Sequence, residues 1–352
     1  MLNQKTILVT GGTGSLGKVL VRRLLSSELG MPRKIIVFSR DEAKQHEMRI
    51  SYMNKYAATD EVIFRNFQRL LEFRIGDVRD FHSIAQALHG VDVVFNAAAL
   101  KQVPTCEYFP YQAVMTNIGG PENIVRAIQE LNLPVQTVVG VSTDKACKPV
   151  NVMGMTKSLQ ERIFIQANMR CPQTRFICVR YGNVLASRGS VIPLFHDQIR
   201  NGGPVTITTS DMTRFLLSLD QAVDTIFAAY KDANRGETYI PRVPSARVID
   251  IAKALIGDRP IKTVFTGIRP GEKLHEILIS EEECFRSVDR GRYYAIRPML
   301  PELNEGIEYT AALQAEFSSA NNVMLPSEAV DMLHHYHLLL DDDPEEDGEL
   351  LR

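Results

Sequence analysis

The chain has 352 residues, 45% hydrophobic and 23% charged, the balance of a folded protein with room for one large or two modest domains. Its formal net charge of −2 gives no electrostatic footprint for nucleic acid, and no apolar run approaches the roughly 18 residues of a membrane span. Five cysteines, Cys106, Cys147, Cys171, Cys178 and Cys284, lack metal-ligand spacing, so we expect reduced thiols, no metal and a cytoplasmic protein.

A strand pattern begins within a few residues of Met1, so no signal peptide is expected. Thr6–Thr10 is a short β-branched run read as a buried strand. It leads into Gly11-Gly-Thr-Gly-Ser-Leu-Gly17, and apolar residues at helical spacing follow from Lys18 to Leu25. Strand, glycine loop and helix are the context in which such a loop holds a dinucleotide pyrophosphate. Gly11, Thr13, Gly14, Ser15, Leu16 and Gly17 are its candidate contacts. The next strand, Lys34–Phe38, ends in Ser39 and Arg40 where an acidic residue would hold a ribose hydroxyl. A hydroxyl and a guanidinium suit a 2′-phosphate, which favours NADP over NAD. Asp41 is either a helix N-cap or a ribose ligand.

Residues 41–70 read as mainly helical, with packing or subunit contact as the default role of the long stretch from Tyr52. A third strand, Glu72–Ile75, ends in Gly76-Asp77-Val78; Asp77 and Val78 are placed at the adenine, against the alternative of a simple turn Asp. The fourth strand, Val91–Phe95, opens into Asn96-Ala-Ala-Ala-Leu-Lys101, where Ala97, Ala98 and Ala99 let backbone lie against a flat cofactor. Asn117 either braces the site or is an ordinary helix residue.

Val138–Val141 is a fifth buried strand, and Ser142-Thr143-Asp144-Lys145 follows it. A hydroxyl, a carboxylate and an ammonium then stand at the carboxyl edge of the sheet, where open α/β sheets bind ligands. A helix beginning near Asn151 puts Met153 and Lys157 on one face. Arg175–Arg180 is a further strand, ending in Tyr181-Gly-Asn-Val184. Strand–helix alternation over residues 6–181 predicts a doubly wound, Rossmann-like parallel sheet. We expect residues 1–183 to form the NADP-binding domain, with 215–233 returning to it. Residues 184–214 and 234–300 are expected to form a smaller α/β substrate domain. Pro204–Thr208 reads as a short strand within it, and arginines in separate loops suit a diphosphate ester. Residues 301–352 read as an extension ending in an acidic, disordered tail, Asp341–Asp347.

Taken together, these segments resemble the extended short-chain dehydrogenase/reductase superfamily. More narrowly, the chain resembles the soluble UDP-N-acetylglucosamine 4,6-dehydratases of bacterial surface polysaccharide synthesis. The likeness rests on Thr10–Gly17, Phe38–Glu42, Gly76–Asp80, Ala97–Pro104, Ser142–Lys145, Arg180–Val184, Ser187–Leu194, Met212–Phe215 and Arg269–Lys273, and covers roughly residues 5–300. Two departures stand out. Met153 occupies the position of the superfamily's Tyr in Tyr-x-x-x-Lys, with Lys157 retained, as in a Met-x-x-x-Lys subgroup. Residues 52–70 also run longer than the family pattern.

The resemblance implies an internal redox dehydration of a UDP-sugar. C4 is oxidised, a base takes the C5 proton, an acid helps the C6 hydroxyl leave, and hydride returns to C6. It implies Lys145 as base, Asp144 as acid, Thr143 at the C4 oxygen, Lys157 at the nicotinamide ribose and Met153 as packing. Tyr181, Asn183 and Val184 are placed near the cofactor. Lys101, Asn183, Val191, Pro193, Thr206, Thr208 and Met212 are placed near the sugar nucleotide, with Arg188, Arg214 and Arg269 on the diphosphate and Glu272 on the uridine ribose. Inversion at C5 is favoured, and a homo-oligomer is expected. A C5-retaining dehydratase, a C4 epimerase and a non-catalytic NADP-binding scaffold are the alternatives.

Overall fold

The computed structural model describes residues 1–53, 61–185, 190–306 and 308–340. Six strands come first: β1 (Thr6–Thr10), β2 (Lys34–Ser39), β3 (Leu71–Ile75), β4 (Val93–Asn96), β5 (Thr137–Val141) and β6 (Arg175–Val179). They are followed by β7 (Asn183–Val184), β8 (Val205–Ile207), β9 (Thr213–Leu217), β10 (Thr238–Pro241) and β11 (Ser245–Arg247). The last five are β12 (Thr263–Phe265), β13 (Ile277–Ile279), β14 (Ser287–Arg290), β15 (Tyr293–Ile296) and β16 (Phe317–Ser318).

The central sheet has the order β14-β15-β10-β6-β5-β4-β1-β2-β3. From β3 to β10 every neighbouring pair is parallel. Strands buried on both faces by helices read as continuous apolar runs, and β1 is buried along its whole length. The order reverses beside β1, which lies between β2 and β4 and so opens a crevice at the carboxyl ends. Thr10 and Asn96 close the base of that crevice, with the Thr10 hydroxyl donating to Asn96 Oδ1 at 2.7 Å.

Of the long stretch from Tyr52, the described residues 61–70 pack on the main core. Helices Glu42–Met53 and Glu61–Leu70 flank residues 54–60, which lie outside the described residues. Tyr52 stacks on Phe67 at 5.3 Å between centroids, and Phe67 and Leu70 enter the main core.

Two expected boundaries are corrected. Residues 234–300 do not all belong to a second lobe, because β10, β14 and β15 extend the central sheet. β10 adds in parallel to β6 and covers what would be an open edge. β15 and β14 then add antiparallel, a pairing that strand–helix alternation cannot signal. Nor are residues 301–340 a mere extension. β16 pairs with β13, and Leu333 and Leu338 are buried in the second-lobe core with Leu255 and Ile192. The acidic tail lies outside the described residues. Helix Leu219–Asp232 carries Val223 and Ile226 into the main core.

The C-terminal helix Pro326–His335 therefore has a measurable role in stability. Leu333 is fully buried, so Leu333→Ala should cost about 2–5 kcal/mol. Urea unfolding should show a lower midpoint; a change within about 0.5 kcal/mol, as for a surface site, would return this segment to the status of an appendage.

Candidate functional site

A cleft of about 1380 Å³ follows the carboxyl ends of the central strands. Its first wall is the loop after β1. Gly11 has φ +67°, and an ideal Cβ there would lie 2.8 Å from the Ala98 nitrogen. A Cβ at Gly17 would fall 2.5 Å from the Gly11 carbonyl oxygen, so both positions require glycine. Helix Ser15–Leu25 has no side-chain cap and no acidic residue in its first turn. Its N–H groups and partial positive charge remain available to an anion. Gly11, Thr13, Gly14, Ser15, Leu16 and Gly17 all line the cleft, and a dinucleotide pyrophosphate fits this cradle.

At the far end Ser39, Arg40, Asp77 and Val78 line the same cleft. Asp41 caps the next helix through the Lys44 N–H at 3.0 Å and pairs with the Lys44 ammonium at 2.8 Å. Asp41 therefore caps the helix, and it also lines the cleft. Arg40 is exposed and 3.6 Å from Asp77 Oδ2. Burial pushes the Asp77 carboxyl up, but Arg79, with Arg40 beyond it, outweighs this and holds it below the usual range.

Ala97, Ala98 and Ala99 line the middle of the cleft. Asn117 does not: it lies fully buried behind the wall. Its amide accepts from the Leu100 N–H at 2.8 Å and donates to the Leu100 carbonyl and the Thr156 hydroxyl. It braces the wall from behind, the first of the two alternatives, and does not itself line the cleft.

Thr143, Lys145, Met153 and Lys157 line the cleft together. Helix Val152–Arg170 begins at Asn151, whose side chain accepts from the Gly154 N–H at 2.8 Å. Met153 packs with Cys106 and Ala113. The Lys157 ammonium donates to the Val141 carbonyl and to Gln160 Oε1 at 2.6 Å. Asp144 lies beneath Thr143, with no solvent exposure. Its Oδ1 accepts from the Thr143 hydroxyl at 2.8 Å and the Lys145 ammonium at 3.1 Å.

Sequence reasoning missed Glu276. It is 2% exposed, and its Oε1 is 3.1 Å from Lys145 Nζ. The only signal was a lone acid three residues beyond Arg269–Lys273, with no spacing to mark it. Burial pushes Lys145 down, but Asp144 and Glu276 outweigh it and hold the side chain as an ammonium. Burial, with Glu276 adding to it, pushes the Asp144 carboxyl up; Glu276, facing Lys145 and Arg214, is held below its ordinary value despite burial. The resting site therefore carries a protonated lysine, whereas the role of base that the resemblance implies needs an amine.

Tyr181, Asn183 and Val184 line the cleft, as does Lys101. The other predicted sugar-nucleotide contacts divide. Arg214 does not reach outward: its guanidinium donates to the carbonyls of Thr213, Leu274 and Lys273. This corrects its assignment to a diphosphate. Met212 is buried in the second-lobe core, a correction of the same kind. Thr206 bonds Gln198 through its hydroxyl and N–H. Thr208, Arg269 and Glu272 meet, with Glu272 Oε2 accepting from the Thr208 hydroxyl and the Arg269 N–H. These residues, with Val191 and Pro193 on helix Val191–Arg200, stand outside the cleft wall. Arg188 lies outside the described residues.

Comparison with known proteins identifies the family and the fold. A family model described as "Polysaccharide biosynthesis protein" matches residues 7–298. A Rickettsia massiliae protein named UDP-glucose 4-epimerase is 43% identical over 341 residues, spanning 94% of this chain and 95% of its own. The X-ray structure of Pen from Bacillus thuringiensis superimposes with a TM-score of 0.85 at 32% identity, over 96% of this chain and 99% of that one. DesIV of Streptomyces venezuelae, a dTDP-glucose 4,6-dehydratase solved with NAD and TYD, shares the fold at 21% identity and a TM-score of 0.64, over 76% of this chain and 86% of its own.

Lys157 gives this site a pH signature. Burial pushes its ammonium down to about 8 from an ordinary 10.5. Between these values the native side chain is neutral while the unfolded one keeps its proton, so stability rises with pH in that window and is lost as pH falls through about 8. Lys157→Met removes the titration. Relative to the variant, the natural protein should gain about 2–3 kcal/mol of unfolding free energy between about pH 7 and pH 10. Parallel pH profiles from denaturant titrations would contradict the burial argument.

Proposed function

Because the chain belongs to the polysaccharide biosynthesis protein family, within the extended short-chain dehydrogenase/reductase superfamily, we propose that it is an NADP-dependent 4,6-dehydratase of UDP-N-acetylglucosamine. That it is an enzyme of the nucleotide-sugar epimerase/dehydratase group follows from the family itself. The observation that carries the finer reading is the group Thr143, Asp144 and Lys145 at the end of β5. A 4-epimerase returns hydride to C4 and needs no acid–base pair for C5 and C6. A dehydratase needs both, side by side.

The cofactor, when bound, supplies hydride acceptance at C4 and hydride return at C6. The glycine loop would hold its pyrophosphate, Arg40 its 2′-phosphate and Lys157 its nicotinamide ribose. Thr143 orients the C4 oxygen. A ketone at C4 acidifies C5–H, and Lys145 takes that proton. Asp144, whose carboxyl burial pushes up, gives a proton to the departing C6 oxygen. Met153 has no exchangeable proton and shapes the floor. Inversion at C5 belongs to this reading, as does self-association through exposed Tyr108, Phe109 and Tyr111. Arg269, with Glu272 and Thr208, is the remaining described candidate for the nucleotide end. The Rickettsia relatives' name favours a second reading, 4-epimerisation.

Proton NMR of UDP-N-acetylglucosamine with purified protein separates the two readings. A new C6 methyl doublet is expected; a galacto product would make the protein an epimerase. In the same assay Met153→Ala should lower turnover without abolishing it. A loss as deep as that of Lys145→Ala would give Met153 more than a packing role.

Arg40→Ala tests the cofactor. It should weaken NADP far more than NAD, by about 1.5–3 kcal/mol, roughly tenfold or more in affinity. Equal weakening of both in a fluorescence titration would contradict the 2′-phosphate assignment.

Lys145→Met and Asp144→Asn separate the two proton transfers. The first should bind the sugar nucleotide but exchange H5 in deuterium oxide about 10²–10⁴-fold more slowly. The second should retain H5 exchange while C6 deoxygenation slows. Normal exchange by Lys145→Met would move the base to another residue.

A further inference from the structure

The proposed chemistry asks Lys145 to accept a proton, yet the site holds it as an ammonium. Glu276 bears on this conflict. It arrives from the second lobe, just before β13, and is fixed at both backbone ends. Its N–H donates to the Ser319 hydroxyl at 2.9 Å, and its carbonyl accepts from the Ser319 N–H at 2.8 Å. The Ser319 hydroxyl is in turn 2.7 Å from that of Thr213. This support aims Oε1 at Lys145 Nζ, 3.1 Å away. Among the described residues the other carboxylate oxygen, Oε2, is buried with no hydrogen-bond partner, and so is Oδ2 of Asp144. Lys145 and Arg214 hold Glu276 as an anion in the substrate-free site, and with one oxygen unpartnered that anion depends on those cations and on water. The charged and titratable groups facing Glu276 are Asp144 and Lys145 from the β5 turn, Arg214 from β9 at 3.9 Å, and Lys273 from its own segment. His275, beside it in the chain, turns to the Thr213 hydroxyl instead.

We infer that Glu276 is a positioning residue that acts through Lys145. It holds the ammonium in the empty cleft and takes up one of its protons when substrate displaces water, so that Lys145 meets C5 as an amine. This rests on the dehydratase reading above. Loss of water favours the neutral pair over the ion pair. The C5–H bond then breaks, its proton passes to Lys145 Nζ, and its electron pair stays on the sugar as the enolate of the C4 ketone. That pair forms the C5–C6 double bond as the C6–O bond breaks, and the Asp144 proton leaves with the oxygen as water. The enzyme ends with one proton on Glu276, an ammonium at Lys145 and a carboxylate at Asp144. Its total charge is unchanged through the elimination; as hydride returns to C6, C5 takes a proton from water, balanced by the proton the C4 hydroxyl gave up to water on oxidation, and return of the Glu276 proton to Asp144 through Lys145 resets the site.

The test compares the full-length holoenzyme with Glu276→Gln and Glu276→Asp. Three measurements are made: H5 exchange in deuterium oxide, the pH profile of turnover, and titration of Lys145 by ¹³C NMR of its ε-carbon. With glutamine, exchange near neutrality should fall about 10²-fold or more while KM stays close to that of the natural enzyme. Lys145 should lose its proton at lower pH, because one of its two carboxylates is gone. Aspartate should restore part of the exchange and part of the Lys145 shift. An unchanged pH profile with exchange at the natural rate, or an unmoved Lys145 titration, would overturn the inference. If Glu276→Gln does not fold, Glu276→Asp carries the test, and natural exchange and titration in it would overturn the inference equally. A natural protein that makes no 6-deoxy product would instead sink the dehydratase reading, whereas the Lys145 titration still reports on the Glu276 contact.

Discussion

Two buried carboxylates held against one ammonium at the cleft wall are the constraint on which this site depends. Any one of them alone in the protein interior would be strongly destabilising, and removing a single partner leaves an uncompensated charge. The fold answers by bringing Asp144 and Lys145 from the end of β5 and Glu276 from the second lobe, within 3.1 Å contacts. Burial, with Glu276 adding to it, pushes the Asp144 carboxyl up, toward the protonated form in which the group carries less charge.

A second buried ionic group stands immediately behind the first. Arg180 is bound by Glu161 and Glu283 and donates to the Leu278 carbonyl. Ser142, one residue before Thr143, donates to Glu161 at 2.5 Å. The guanidinium satisfies both carboxylates bidentately, the geometry in which such groups are strongest. It joins β6, helix Val152–Arg170 and helix Glu281–Cys284, so the turn that carries Thr143, Asp144 and Lys145 rests on a fixed base. Leu278 belongs to β13, and the carboxylate of Glu276 comes from the same run of chain. The two lobes are therefore registered against each other at the site itself, and the pairing of β13 with β16 extends that registration to the C-terminal segment.

Much of the fold could be read from the chain without coordinates. Continuous apolar runs at β1, β2, β5 and β6 signalled strands buried on both faces, and the glycine loop between strand and helix carried its own geometric requirement. The cofactor wall followed, because its residues are contiguous: Gly11 to Gly17, Ser39 and Arg40, Ala97 to Ala99. Local segments of this kind need only short-range sterics to define them. Asp41 remained two-sided until its bond to the Lys44 N–H identified it as a cap. Asn117 likewise became a brace once both ends of its amide met Leu100.

What the sequence by itself determined was the doubly wound core, the dinucleotide cradle and the Thr143–Lys145 group, because each is written in neighbouring residues whose spacing matches one element. What only the tertiary structure decided lies at long range. β10, β14 and β15 complete the central sheet, Arg214 turns to backbone carbonyls, Leu333 belongs to a core, and Glu276 reaches Lys145 across 131 positions of chain. The physical reason is the same in each case. A buried charge or a short strand is stabilised by whatever the fold brings against it, and no periodicity along the chain records a partner that only folding supplies.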